Sequence, residues 1–241
     1  MAVIGKTAPL EAAQQFIEKY YPDCAAALLA GSAVRGEATA TSDLDIVVFD
    51  RDAAASYRES LVEFDWLIEV FVHNLASYRA YFQSDAERAR PSMPNMVAEG
   101  IVLRDTGVAH AIKCEAQELL DAGPTEWPTA IIQSKRYFLT DALDDFIGCC
   151  DRAEGIFIAG TLAEGLAEFE LRTQRRWIGA SKWIVRALQQ YDKDIADRFV
   201  AAFEDYYRNG NKKSVIELAD AVLEPHGGRL FAGFSMGKDK G

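Results

Sequence analysis

Residues 31–49 read GSAVRGEATATSDLDIVVF, and the last seven of them set the character of the segment. Ile46-Val47-Val48-Phe49 is a short, β-branched apolar run, which predicts a buried strand over Asp43–Phe49. Side chains alternate along a strand, so Asp43 and Asp45 share one face while Leu44, Ile46 and Val48 face the other way. Two parallel carboxylates repel each other unless a cation lies between them. An oxygen-only donor pair of this kind suits Mg²⁺, which is normally shared with substrate phosphates. Upstream, Gly31-Ser32 closes a second apolar run, Ala25–Ala30, that also reads as a strand, and a helical turn is predicted over Val34–Gly36. Glycine lets the backbone come close to a ligand, and N–H groups at the head of a turn favour an anion.

Outward from this segment the first half of the chain alternates helix and strand. Helices are predicted over Pro9–Tyr20, Ala53–Phe64, Leu75 to about Ala86 with Asn74 as its cap, and His110–Leu120. WLIEVFV at 66–72 reads as a third strand and Ile101–Arg104 as an edge strand, with Pro91 and Pro94 as breaks between them. From Pro128 onward the pattern turns helical, with segments at Ile131–Cys150, Gly160–Trp177, Gly179–Tyr191, Ile195–Asn209 and Ser214–Leu223. The change of character falls at Gly123–Pro128, which predicts an α+β domain over 1–126, a helical domain over 127–241, and a frayed tail from Gly237.

The signature Gly31, Ser32, Arg35, Gly36, Ser42, Asp43 and Asp45, followed by an apolar strand, resembles that of the DNA polymerase beta-like nucleotidyltransferase superfamily. The resemblance implies a small mixed sheet flanked by helices. The helical half that follows is similar to the arrangement in two-domain antibiotic nucleotidyltransferases of the aminoglycoside and lincosamide types. It further implies a third carboxylate on a neighbouring strand, and Glu69 in the middle of WLIEVFV supplies one after an intervening helix. A buried glutamate there is costly without a partner; as an edge residue it would reach water instead. By the same resemblance Asp43, Asp45 and Glu69 are the catalytic acids and the ligands of two Mg²⁺ ions. Glu69 is also a general base for an acceptor hydroxyl.

For the nucleotide, Gly31 and Ser32 are expected near the β- and γ-phosphates of ATP. Arg35 either meets phosphate or pairs with Glu37 or Asp43, and Ser42 either contacts the nucleotide or shapes the loop before the strand. Arg175, Lys182 and Arg186 form one basic face if the helix continues through Gly179, with Arg172 nearby. That face is either solvated or brings Lys182 to the triphosphate, as basic residues do in related two-domain enzymes. His73 is either an acceptor-pocket residue or a capped loop histidine, and the turn His226-Gly227-Gly228-Arg229 has some anion affinity.

Composition limits the partners. Of 241 residues 49% are apolar, enough for sizeable cores, and no run reaches the about 20 residues of a membrane span. The opening MAVIGKTAPLEAAQQF does not read as a secretory signal. Cys24, Cys114, Cys149 and Cys150 form no Cys-x-x-Cys, and His73, His110 and His226 are scattered, so the reading is reduced thiols, a cytoplasmic protein and no zinc site. The net charge is −11, concentrated in residues 1–126, which hold 20 acids and 10 bases. Such a body repels long DNA or RNA and favours a small cationic acceptor, unless the acidity serves solubility alone. Tyr78, Tyr81 and Phe82 form either a homodimer contact or a core stripe.

The expected function is transfer of AMP from ATP to a hydroxyl of a small acceptor such as an aminoglycoside- or lincosamide-like antibiotic. Two alternatives stand beside it. One is an AMP-transferase acting on protein, since the segment also resembles minimal antitoxin nucleotidyltransferases. The other is a nucleotide-binding regulator that has lost catalysis.

Overall fold

The computed structural model describes residues 7–237. The expectations for the first six residues and for most of the frayed tail lie outside them. The chain divides into two compact units between Gly123 and Pro124, and among the described residues the fold is α+β, with a five-stranded mixed sheet and flanking helices in the first unit and helices in the second.

The first unit begins with α1 (Pro9–Tyr20), where Pro9 takes the first helical position, a site that needs no backbone N–H. Ala12, Ala13, Phe16 and Ile17 recur at helical spacing and are buried. Then come β1 (Ala26–Ala30), β2 (Leu44–Phe49), β3 (Tyr57–Glu63) and β4 (Trp66–His73). Two helices, α2 (Ser77–Glu87) and α3 (Ser92–Glu99), lead to β5 (Ile101–Asp105) and α4 (Ala109–Ala122). The strand order is β3-β4-β2-β1-β5; β2 and β4 run parallel and the other pairs antiparallel.

The sheet separates two cores. Leu44, Ile46 and Val48 of β2, with Ile68, Val70 and Val72 of β4, pack on Phe16 and Ile17 of α1. Val47 and Phe49 face the opposite way, onto Tyr78, Phe82, Met93, Val97 and Ile112 of α2, α3 and α4. Each such fully buried side chain contributes about 1.5–3 kcal/mol. That holds β2 from both faces and fixes its register, since a slip of one residue would turn the aspartates into the α1 core. Tyr78 and Phe82 are therefore core residues, and of the three aromatics on α2 only Tyr81 is exposed.

Two expectations are corrected here. The segment 53–64 is not a helix: Tyr57–Glu63 is β3, paired antiparallel with β4 through a two-residue turn at Phe64-Asp65. Both turn residues have positive φ (52° and 63°), the geometry that matches the twist of a hairpin. Glu69 thus follows a hairpin turn rather than a helix. Pro94 does not break the chain either; it sits in the first turn of α3, where the lost N–H is not needed.

The second unit contains α5 (Thr129–Gly148), α6 (Arg152–Thr173), α7 (Lys182–Tyr191), α8 (Lys193–Asn209) and α9 (Lys213–Leu223). Asp151 and Asp192 cap α6 and α8 by accepting backbone N–H groups. The segment after α9 folds back on α5: Arg136 donates to the Gly227 and Gly228 carbonyls, Thr140 accepts from Leu230 N–H, and Tyr137 stacks on Phe234 with ring centres 4.0 Å apart. The turn at His226 is thus occupied by Arg136.

The condition for one basic face, a helix continuing through Gly179, is not met. The helix ends at Thr173, Arg175 and Ser181 adopt positive φ (55° and 53°), and α7 starts afresh at Lys182. Gly179 packs so tightly on Trp183 that an added Cβ would lie 2.3 Å from its backbone. Arg175 therefore shares no helix with Lys182 and Arg186. Arg172 is buried, its guanidinium 5.0 Å from the Trp127 ring centre and bonded to the Thr125 carbonyl.

Candidate active site

The register of the parallel pair sets Asp45 of β2 beside Glu69 of β4 on the face shared with Val47 and Phe71. Asp43 lies just before β2. Each of the three offers a carboxylate oxygen, and these atoms lie within 4.8 Å of one another. All three residues are half-buried. Sheet geometry accounts for Asp45 and Glu69, register neighbours on adjacent strands, and Asp43 joins them from the residue that leads into β2.

Gly31 forms the floor. It follows β1, pairs across from Asp45 through Ala30, and has φ +75°. A Cβ on it would lie 1.9 Å from the Asp45 Oδ2, so only glycine lets the turn pass under that carboxylate. The carbonyl of Gly31 accepts from Val34 and Arg35 N–H, which closes the short turn holding Ser32. Ser42 shapes the loop, its Oγ accepting from Thr39 N–H at 2.8 Å.

Two acids and two arginines complete the surroundings. Glu99, the last residue of α3, accepts from Gly31 N–H at 3.2 Å and from Arg35 Nη1 through the same oxygen. Arg35 also donates to Glu37 at 3.3 Å. Arg58 of β3 donates to Glu69 Oε2 and lies over the Phe71 ring, 4.9 Å from its centre. Burial pushes the Asp45 carboxyl up to about 6, with repulsion from Asp43 and Glu69 adding to the rise and Arg35 and Arg58 opposing it.

Of the residues singled out in the sequence, Asp43, Asp45, Glu69 and Gly31 come together here. Ser32, Ser42 and Arg35 lie in the connecting turn and loop. Lys182 belongs to the second unit as the first residue of α7. His73 lies at the far end of β4, buried, with Nδ1 3.1 Å from Ser56 Oγ. Arg58 and Glu99 were missed. The alternation in YRESLVE and the abrupt turn before WLIEVFV were the available signals for Arg58; nothing local to Glu99 points to its role.

The donor set fits a divalent cation: three carboxylates, oxygen donors only, converging, with Asp43 and Glu69 raising the cost of ionising Asp45. Arg58 balances one of those charges, which leaves the cluster net anionic.

Residues 10–83 match the nucleotidyltransferase domain family, a span that includes Gly31, both aspartates, Arg58 and Glu69. Among solved structures, a nucleotidyltransferase-like protein from Exiguobacterium sibiricum is similar at 14% identity, over 90% of this chain and 73% of that one, with a TM-score of 0.45. No curated protein matches the sequence. Residues 10–83 thus carry the match to a nucleotidyltransferase domain, the same superfamily that the segment from Gly31 to Asp45 resembles, which supports nucleotidyl transfer as the chemistry of this part of the chain.

Proposed function

We propose that this enzyme transfers AMP from ATP to a hydroxyl of a small, cationic acceptor, with Asp43, Asp45 and Glu69 holding two Mg²⁺ ions. The observation that carries the reading is the convergence of the three carboxylates over a turn that only glycine can make. When bound, the ions would activate the acceptor oxygen and neutralise charge on the leaving group. In the reaction the acceptor oxygen forms a bond to the α-phosphorus, the bond to the β-phosphate oxygen breaks, and pyrophosphate departs.

The chain's own groups have definite tasks in this scheme. Glu69 accepts the hydroxyl proton, and its place on a strand held by neighbours on both sides keeps it oriented. The Gly31 turn offers close backbone approach to the phosphates, with Ser32 as an added donor. Arg35, tied to Glu99 and Glu37, anchors the turn. The net charge of −11 supports a cationic acceptor over a polyanion. Antibiotics of the aminoglycoside and lincosamide types are the first acceptors to try.

Pyrophosphate release from ATP and Mg²⁺ across a panel of hydroxylated amines tests the reading. Asp45→Asn is expected to abolish release while the thermal melt stays cooperative. Full turnover in that variant would refute the assignment of the acids. Intact-mass analysis of cell extract with ATP distinguishes the protein-directed alternative, which would leave single AMP adducts on proteins.

A further inference from the structure

Arg58 is bonded directly to the acidic cluster, through Glu69. It stands opposite Phe71 on the antiparallel neighbour, one step along the same face from the Ser60–Glu69 pair. The ring supports its guanidinium from one side, and Glu69 Oε2 takes one of its donors. The side chain is 56% exposed, so its other donors have access to solvent. Arg35, the second cation whose field reaches Asp45, is committed to Glu37 and Glu99.

This placement creates a conflict if Glu69 offers Oε2 to a metal ion. Glu69 Oε2 cannot serve a guanidinium and a divalent ion together, because two like charges on one oxygen repel strongly at that separation. A half-exposed ion pair is weak and can yield. The arginine that yields stays attached to the edge strand, beside its aromatic support, at the margin of a site to which a nucleoside triphosphate brings several negative charges. A planar guanidinium is well suited to phosphate oxygens.

We propose that Arg58 is an exchanging counter-ion: it neutralises Glu69 before the divalent ion arrives, gives that oxygen up to the ion, and then binds the polyphosphate of the nucleotide. The proposal rests on the functional reading above. It makes Arg58 a competitor of the metal in the free enzyme and an ally of the nucleotide in the loaded one, two effects of opposite sign from one side chain.

The test uses Mn²⁺ as the probe, titrated by electron paramagnetic resonance into the whole protein without nucleotide. A non-hydrolysable ATP analogue is then titrated at saturating Mn²⁺. Arg58→Ala is expected to bind Mn²⁺ about two- to fivefold more tightly than the wild type. The same variant should bind the analogue about 10- to 100-fold more weakly. Arg58→Lys keeps the charge but loses the fork, and is expected to weaken the analogue several-fold. Mn²⁺ affinity unchanged or weakened in Arg58→Ala overturns the counter-ion role, and wild-type analogue affinity in either variant overturns the phosphate role. Asp45→Asn separates the two levels. If the wild type binds no Mn²⁺, or Asp45→Asn binds it equally well, the metal reading falls and this proposal with it. If Asp45→Asn loses Mn²⁺ but Arg58→Ala changes nothing, only the proposal for Arg58 falls.

Discussion

Replacing Gly31 by alanine perturbs the site through two separable effects. The first is backbone strain: φ at Gly31 is +75°, a region where an L-residue is less stable by about 1–2 kcal/mol. The second is steric. The new Cβ would stand 1.9 Å from Asp45 Oδ2, 2.9 Å from Cγ and 3.2 Å from Cβ, so turning the carboxylate does not relieve the whole overlap. Asp45 must retreat by roughly 1 Å, and a misplacement of that size costs on the order of 10²-fold in turnover. Gly36 provides the control. Its φ is +70°, yet an added Cβ meets nothing within 4 Å, so Gly36→Ala carries the strain without the collision. Both variants should melt a few degrees below the wild type. Pyrophosphate release, measured at a temperature where all three proteins are folded, should collapse in Gly31→Ala and persist in Gly36→Ala. Equal losses in the two variants, or near-normal turnover in Gly31→Ala, would refute the claim that Asp45 depends on the missing Cβ.

Further tests address the rest of the chain. Burial pushes His73 from 6.5 down to about 4, so the unfolded chain binds a proton that the folded one resists. Stability should therefore be intact above pH 6.5 and decline by about 3 kcal/mol as the pH falls toward 4. His73→Asn should flatten that part of the urea-midpoint profile, and an unchanged slope would show that another group governs it. Asp151→Ala removes the acceptor for Ala153 and Glu154 N–H at the head of α6. It should cost about 1 kcal/mol in chemical denaturation, and no loss would mean that the cap is replaced by water. Thr140→Val removes the acceptor for Leu230 N–H. Faster proteolysis of the segment after α9 is expected, and an unchanged cleavage rate would show that the aromatic stack holds the segment unaided.

The acids were legible in the sequence because their arrangement is local. Asp45 is fixed by strand alternation, Asp43 by standing two residues before it, and Gly31 by a motif a dozen residues away. Glu69 stood out as a charge within an apolar run, although the helix expected before it is a strand. That error has a physical source: the hairpin turns on Phe64-Asp65, which adopts positive φ without the glycine or asparagine that normally announces it. Losing β3 also meant losing Arg58. Glu99 was illegible for a different reason, since its partners Gly31 and Arg35 are 68 and 64 residues away and meet it only when α3 packs on the sheet. The basic face failed at Arg175 and Ser181, where helical periodicity in the sequence continues but the backbone does not.

The position of β3 at the rim of the sheet has a consequence for solubility. A rim strand exposes a row of backbone donors and acceptors on which another chain can polymerise, and proteins deter this with charged side chains. On β3 the charges are Arg58, Glu59 and Glu63, set among exposed Tyr57 and Val62. Arg58 is thus answerable to two unrelated demands, the ionic balance of the cluster and the colloidal behaviour of the sheet's outer margin. Drift at this position is narrowed from both sides: an apolar replacement would invite filaments, whereas an acidic one would crowd a fourth carboxylate against the first three.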